Sequence, residues 1–97
     1  MTKYSLIFPD EFDEFYESEI QSKGYFGQVS LQISGKHFRL NFYDPVRLAQ
    51  EIESEFQRGN VFFEPNLVVV KSVTRLEIEK AIQSLMESGN QSALIAD

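Results

Sequence analysis

The stretch "QVSLQISGKHFRLNFY", Gln28–Tyr43, decides the fold class. Val29, Leu31 and Ile33 alternate with Gln28, Ser30, Gln32 and Ser34. Beyond Gly35, Phe38, Leu40 and Phe42 alternate with His37, Arg39, Asn41 and Tyr43. Period-two alternation on both sides of a Gly-containing break predicts a β-hairpin. With Gly35-Lys36 as a two-residue type II′ turn, the expected register sets Ile33 opposite Phe38, Leu31 opposite Leu40 and Val29 opposite Phe42. All three pairs are apolar and share one face, whereas the other face carries Gln, Ser, Asn, Arg and His and is read as solvated.

Immediately C-terminal, "DPVRLAQEIESEFQRGN" (Asp44–Asn60) has the pattern of a helix. Asp44 suits an N-cap, because its carboxylate can accept from free first-turn amides. Pro45 suits the first helical position, where its missing N–H costs nothing. Leu48, Ile52 and Phe56 recur every four residues, and Arg47–Glu51 and Glu55–Arg58 are spaced to pair. Gly59-Asn60 ends the helix. Every residue of the Tyr43-Asp44-Pro45 corner thus has a structural task, and the corner is read as a strand–helix junction. "LVVVK" (Leu67–Lys71) lacks polar alternation and predicts a strand covered on both faces, or central in the sheet. Thr74 and Glu77 then form a capping box, with Val73 and Ile78 placed as a hydrophobic staple, for a helix ending at Gly89.

On the N-terminal side, Tyr4, Leu6 and Phe8 predict a strand stopped by Pro9. Asp10 is expected to cap a helix running to about Ser22, with Phe12, Tyr16 and Ile20 as its apolar stripe. The order is therefore β-α-β-β-α-β-α. It predicts an α+β, two-layer sandwich with a mainly antiparallel sheet and a ferredoxin-like candidate topology; another α+β sheet order is the alternative. Residues 1–89 are expected to form a single domain. Residues 90–97 are expected to be a flexible tail, with Ala93, Leu94 and Ile95 available to dock.

The chain has 97 residues and no cysteine, so disulfides and thiolate metal sites are excluded. No apolar run reaches the roughly 20 residues of a membrane span. The first ten residues do not read as a secretory signal, so a cytoplasmic location is expected. The net charge is -6, and it is unevenly placed. Asp10, Glu11, Asp13, Glu14, Glu17 and Glu19 lie together without a base, while the remaining nine acids balance the nine bases. Such a chain is not expected to bind nucleic acid, which requires clustered Lys and Arg.

Little in the sequence points to catalysis. The one histidine, His37, falls on the polar side of the hairpin beside its turn. Phosphate-binding, nucleophile-elbow and EF-hand motifs are missing, and nothing pairs a nucleophile with a base. The expectation is a protein that is not an enzyme and needs no cofactor or metal.

Two surfaces remain as candidates. The first is the outer side of the acidic helix, where Glu14, Glu17 and Glu19 flank Phe15 and Tyr16. An acidic helix with aromatic contacts can meet a cationic cleft on a protein partner and block it. The chain resembles the immunity proteins of bacterial toxin systems in size, charge and composition. That resemblance implies a cationic toxin as partner. The second surface is the polar sheet face, with Arg39, Asn41 and Tyr43, which would serve a small-molecule-binding or regulatory domain acting as a homodimer. RNA binding there is disfavoured by the shortage of aromatic and basic residues.

Two segments, "FYDPVRLAQEIE" (Phe42–Glu53) and "EPNLVVVKSVTR" (Glu64–Arg75), resemble small uncharacterised bacterial proteins. No activity is carried over with them. The resemblance implies that the Tyr43-Asp44-Pro45 corner and Glu64-Pro65-Asn66 lie near one another, because one helix joins them.

Overall fold

In the computed structural model, which describes residues 3–97, the hairpin is the centre of a four-stranded sheet. The elements are β1 (Tyr4–Ile7), α1 (Glu14–Lys23), β2 (Tyr25–Ile33), β3 (Lys36–Tyr43), α2 (Pro45–Gln57), β4 (Leu67–Val69) and α3 (Arg75–Glu87), followed by a 3-10 turn at Asn90–Ala93. The strands lie in the order β1-β2-β3-β4; β1–β2 and β2–β3 are antiparallel and β3–β4 is parallel. The fold is thus α+β with a mixed, mainly antiparallel sheet. The ferredoxin-like order does not hold. A split βαβ unit keeps its first two strands parallel with another strand between them, whereas here β1 and β2 are antiparallel neighbours. No helix among the described residues is long and apolar enough to cross a membrane.

The hairpin keeps its expected faces but not its expected register. Leu31 lies opposite Phe38 and Val29 opposite Leu40, two residues from the predicted pairing. The turn is Ser34-Gly35, with φ of 50° and 81°. Positive φ at both central positions is the mark of a type I′ turn, whose twist matches the strands. A slip of two preserves which side chains share a face, so the apolar side is unchanged. β2 also starts earlier than predicted and carries a bulge between Phe26 and Val29. The extra residue brings both Phe26 and Val29 to the buried face although three positions separate them. Gly27 sits in this bulge, where a Cβ would collide with the Tyr25 hydroxyl and stand 2.8 Å from Asn41 Oδ1.

One core joins Phe26, Val29, Leu31, Phe38, Leu40 and Phe42 of the sheet to Ile20 of α1 and Ile78 and Ile82 of α3. Asp13, not Asp10, caps α1, accepting from the Tyr16 N–H at 2.9 Å. Asp10 falls instead in a turn closed by Phe12 N–H to the Pro9 carbonyl. Phe12 nevertheless packs where the stripe placed it, with its ring 5.0 Å from Phe8 and 5.6 Å from Tyr16. The caps of the other two helices fall where predicted: Asp44 accepts from Arg47 N–H at 2.7 Å and Thr74 Oγ1 from Glu77 N–H at 3.2 Å.

Two expectations of burial fail. No residue of α2 is buried, and Phe56 is 63% exposed. Likewise β4 is a three-residue edge strand rather than a covered central one, and Val69 is exposed. The parallel β3–β4 pairing explains both. It requires a crossover, and crossover handedness, not apolar pattern, assigns the helix to a face. The face α2 approaches is the polar one.

At the start of β4, Asn66 adopts a φ of 53° and holds the end of the chain. Its Nδ2 donates to the carbonyls of Arg39 (2.9 Å) and Ile95 (2.8 Å), and its Oδ1 accepts from Ile95 N–H (2.8 Å). Asp97 N–H donates to the His37 carbonyl at 2.9 Å. Leu94 packs on the core between them.

Candidate functional site

The five residues singled out on α1 divide into two sets. Tyr16 and Glu17 turn inward. The Tyr16 ring packs against Phe12 and Phe26, and its hydroxyl reaches Gln28 Oε1 at 3.4 Å. A carboxylate oxygen of Glu17 accepts from the backbone N–H of Arg75, the first residue of α3, which also suits the positive end of that helix. Arg75 in turn lies over the Phe8 ring at 4.4 Å. Glu17 therefore ties α1 to α3.

Glu14, Phe15 and Glu19 face outward. Phe15 is 75% exposed, with acidic side chains before and after it on the helix. Glu19 stands between two depressions. On one side a groove of about 260 Å³ runs between α1 and the bulged start of β2, with Ile20 and Phe26 as apolar lining and Glu19, Lys23, Tyr25 and Gln28 as polar lining. On the other, a shallower and more open depression of about 410 Å³ is lined by Phe15, Ser18, Glu19, Ser22 and Lys23. Phe15 lines only the second of these depressions, and Lys23 lines both.

The second predicted surface is partly covered. Arg39 is exposed, but Asn41 and Tyr43 are bonded within the protein. The Tyr43 hydroxyl donates to Glu64 Oε2 at 2.6 Å, and its ring meets Phe62 edge-on at 6.2 Å. The Tyr25 ring packs on Tyr43 at a tilt of 48° with centroids 4.8 Å apart, and its hydroxyl donates to Asn41 Oδ1 at 3.1 Å. Asn41 Nδ2 donates to the Pro65 carbonyl at 2.9 Å. The segments Phe42–Glu53 and Glu64–Arg75 therefore meet, through Tyr43 and Glu64. Burial, then the bond to Glu64 and its charge, pushes the Tyr43 phenol well above the ordinary tyrosine range. Burial and the charge of Glu64 raise Tyr25 as well.

Tyr25, Phe62 and Glu64 complete this cluster, and the strand periodicity alone did not single them out. Tyr25 lies before the bulge, where the parity of β2 reverses, so a reading that began the strand at Gln28 could not assign its face. Among the described residues, no group of three or more His, Cys, Asp or Glu side chains is arranged to hold a metal ion. No protein family, curated protein or solved structure gives a significant match to the chain.

Proposed function

We propose that this protein is a non-catalytic interaction module that presents the outer side of α1 to a cationic protein partner. The observation that carries the reading is Phe15, a large apolar side chain left in water between Glu14 and Glu19. An exposed aromatic is a natural anchor, and the carboxylates around it would steer and orient a basic surface. A toxin-neutralising immunity protein of the cytoplasm has this design, and a cationic toxin is the partner it implies. Glu17 contributes to the fold in this reading and Tyr16 forms a wall of the groove, so recognition rests on Glu14, Phe15 and Glu19.

The test is affinity capture from the native host, followed by titration of the captured protein. Phe15→Ala is expected to weaken binding by roughly thirtyfold, as for an anchor worth about 2 kcal/mol. Glu14→Lys with Glu19→Lys is expected to weaken it further at low salt than at high salt. A partner bound equally well by all variants would refute the placement. A ligand site on the polar sheet face is the less favoured reading, because Asn41 and Tyr43 already satisfy one another's neighbours.

A further inference from the structure

We propose that α2 and the three residues Val61–Phe63 form the interface of a symmetric homodimer. The argument starts from the orientation of α2. Arg47, Leu48, Glu51, Ile52, Ser54 and Glu55 are its partly covered positions, so four of the six side chains toward the body are polar. Arg47 donates from Nη1 to the Lys23 carbonyl at 3.1 Å and from Nε to Glu51 at 2.8 Å. Leu48 and Ile52 lie at the edge of that side and are partly covered, while Val46, Ala49 and Phe56 are exposed.

The chain then returns along the end of the helix. Asn60 N–H donates to the Glu55 carbonyl at 2.9 Å, and Asn60 Nδ2 reaches the Glu55 carboxylate at 3.2 Å. That closure starts Val61 beside the last turn of α2. In the extended segment that follows, Phe62 turns inward to Tyr43. Its neighbours Val61 and Phe63 point away from it and are 80% and 79% exposed. Phe56, Val61 and Phe63 thus add to the apolar stripe of the helix.

Charge selects a second copy as the occupant. The whole net charge of -6 resides between Asp10 and Glu19, so two copies repel unless they meet on another face. Between Pro45 and Phe63 the charged residues are Arg47, Glu51, Glu53, Glu55 and Arg58, a net of -1, and four of them form the ion pairs Arg47–Glu51 and Arg58–Glu55 at 2.8 and 2.9 Å. A self-complementary interface needs such a weakly charged face, because each residue meets its own kind or near neighbour across a two-fold axis. A cationic partner gains little there compared with Asp10–Glu19. A 13-residue helix is about 20 Å long, so the patch covers roughly 300–400 Å² per protomer, about half of a standard interface. The dimer is accordingly weak, with Kd in the micromolar range.

Sedimentation velocity from about 1 μM to about 1 mM tests this over the span of weak affinities. The expected result is a reversible monomer–dimer equilibrium that does not weaken in high salt. Phe56→Asp and, separately, Val61→Asp are each expected to raise Kd at least tenfold, with an unchanged circular dichroism spectrum. Both side chains are exposed in the protomer, so the fold does not depend on them. Glu14→Lys with Glu19→Lys is expected to leave the dimer intact, which separates this proposal from the one for α1. A monomer throughout the range, a dimer indifferent to both aspartates, or one dissolved by salt would overturn it.

Discussion

α1 and α2 carry the same apolar spacing and meet very different fates. Phe12, just ahead of α1, and Tyr16 and Ile20 on it pack into the core, whereas Leu48, Ile52 and Phe56 of α2 leave that helix without one buried residue. The two helices are joined end to start. Gly24, which closes α1 with a φ of 73°, accepts from Asp44 N–H at 2.9 Å, and Arg47 reaches the carbonyl of Lys23. The difference teaches that periodicity states which side of a helix is apolar, while connectivity decides what that side meets. α1 joins antiparallel neighbours and lies on the greasy face; α2 joins parallel ones and is sent to the polar face.

The sharpest way to break this comparison is to truncate equivalent positions. Ile20→Ala is expected to cost about 2–4 kcal/mol in urea unfolding, because it opens a cavity in the core. Phe56→Ala, measured below the dimer range, is expected to cost less than about 0.5 kcal/mol. Equal losses would mean that α2 is as firmly seated as α1. Next in size is the joint itself. Gly24→Ala combines a left-handed φ with a Cβ 2.6 Å from Asp44 Oδ2, and is expected to destabilise by roughly 1–3 kcal/mol. A neutral result would show that the two helix ends move independently.

A smaller effect belongs to the cluster beneath α2. Tyr43→Phe leaves the Glu64 carboxylate without its donor and is expected to cost about 1–2 kcal/mol at neutral pH. The folded phenol is raised above its unfolded value, so the folded state holds its proton where the unfolded chain releases one. Wild-type stability is therefore complete below the unfolded value, about pH 10, and falls as pH rises beyond it. The variant is expected to lose part of that alkaline slope; chemical denaturation on either side of pH 10 reads the difference. Smallest of all, Glu14→Gln and Glu19→Gln are expected to change stability by less than about 0.5 kcal/mol, since neither side chain has a hydrogen-bond or ion-pair partner among the described residues. A larger shift in melting temperature would assign them a role in the fold, as for Glu17.

The features legible in the sequence were those fixed by neighbours along the chain. Asp44-Pro45 and Thr74 placed their caps because capping is settled within one turn. The alternation of Gln28–Tyr43 gave the correct faces. It could not give the register, because Ser34-Gly35 and Gly35-Lys36 are both two-residue turns and differ by a slip that preserves parity. Glu17 looked like one acid among six until Arg75, far along the chain, brought its amide to it. The contact between Tyr43 and Glu64 was legible only as nearness across one helix, and the inward turn of Phe62 depends on a strand pairing that no local pattern encodes.

The parallel pairing of β4 also sets an order of assembly. β2 and β3 close through a two-residue turn, so their contacts form at little loss of chain entropy, whereas β3 and β4 find each other only after the whole of α2 has been traversed. That pairing settles after the hairpin and lets go before it. Amide protons donated across that last pairing, Asn41 N–H to Asn66 and Val70 N–H to Tyr43, exchange with solvent ahead of those that stitch the hairpin.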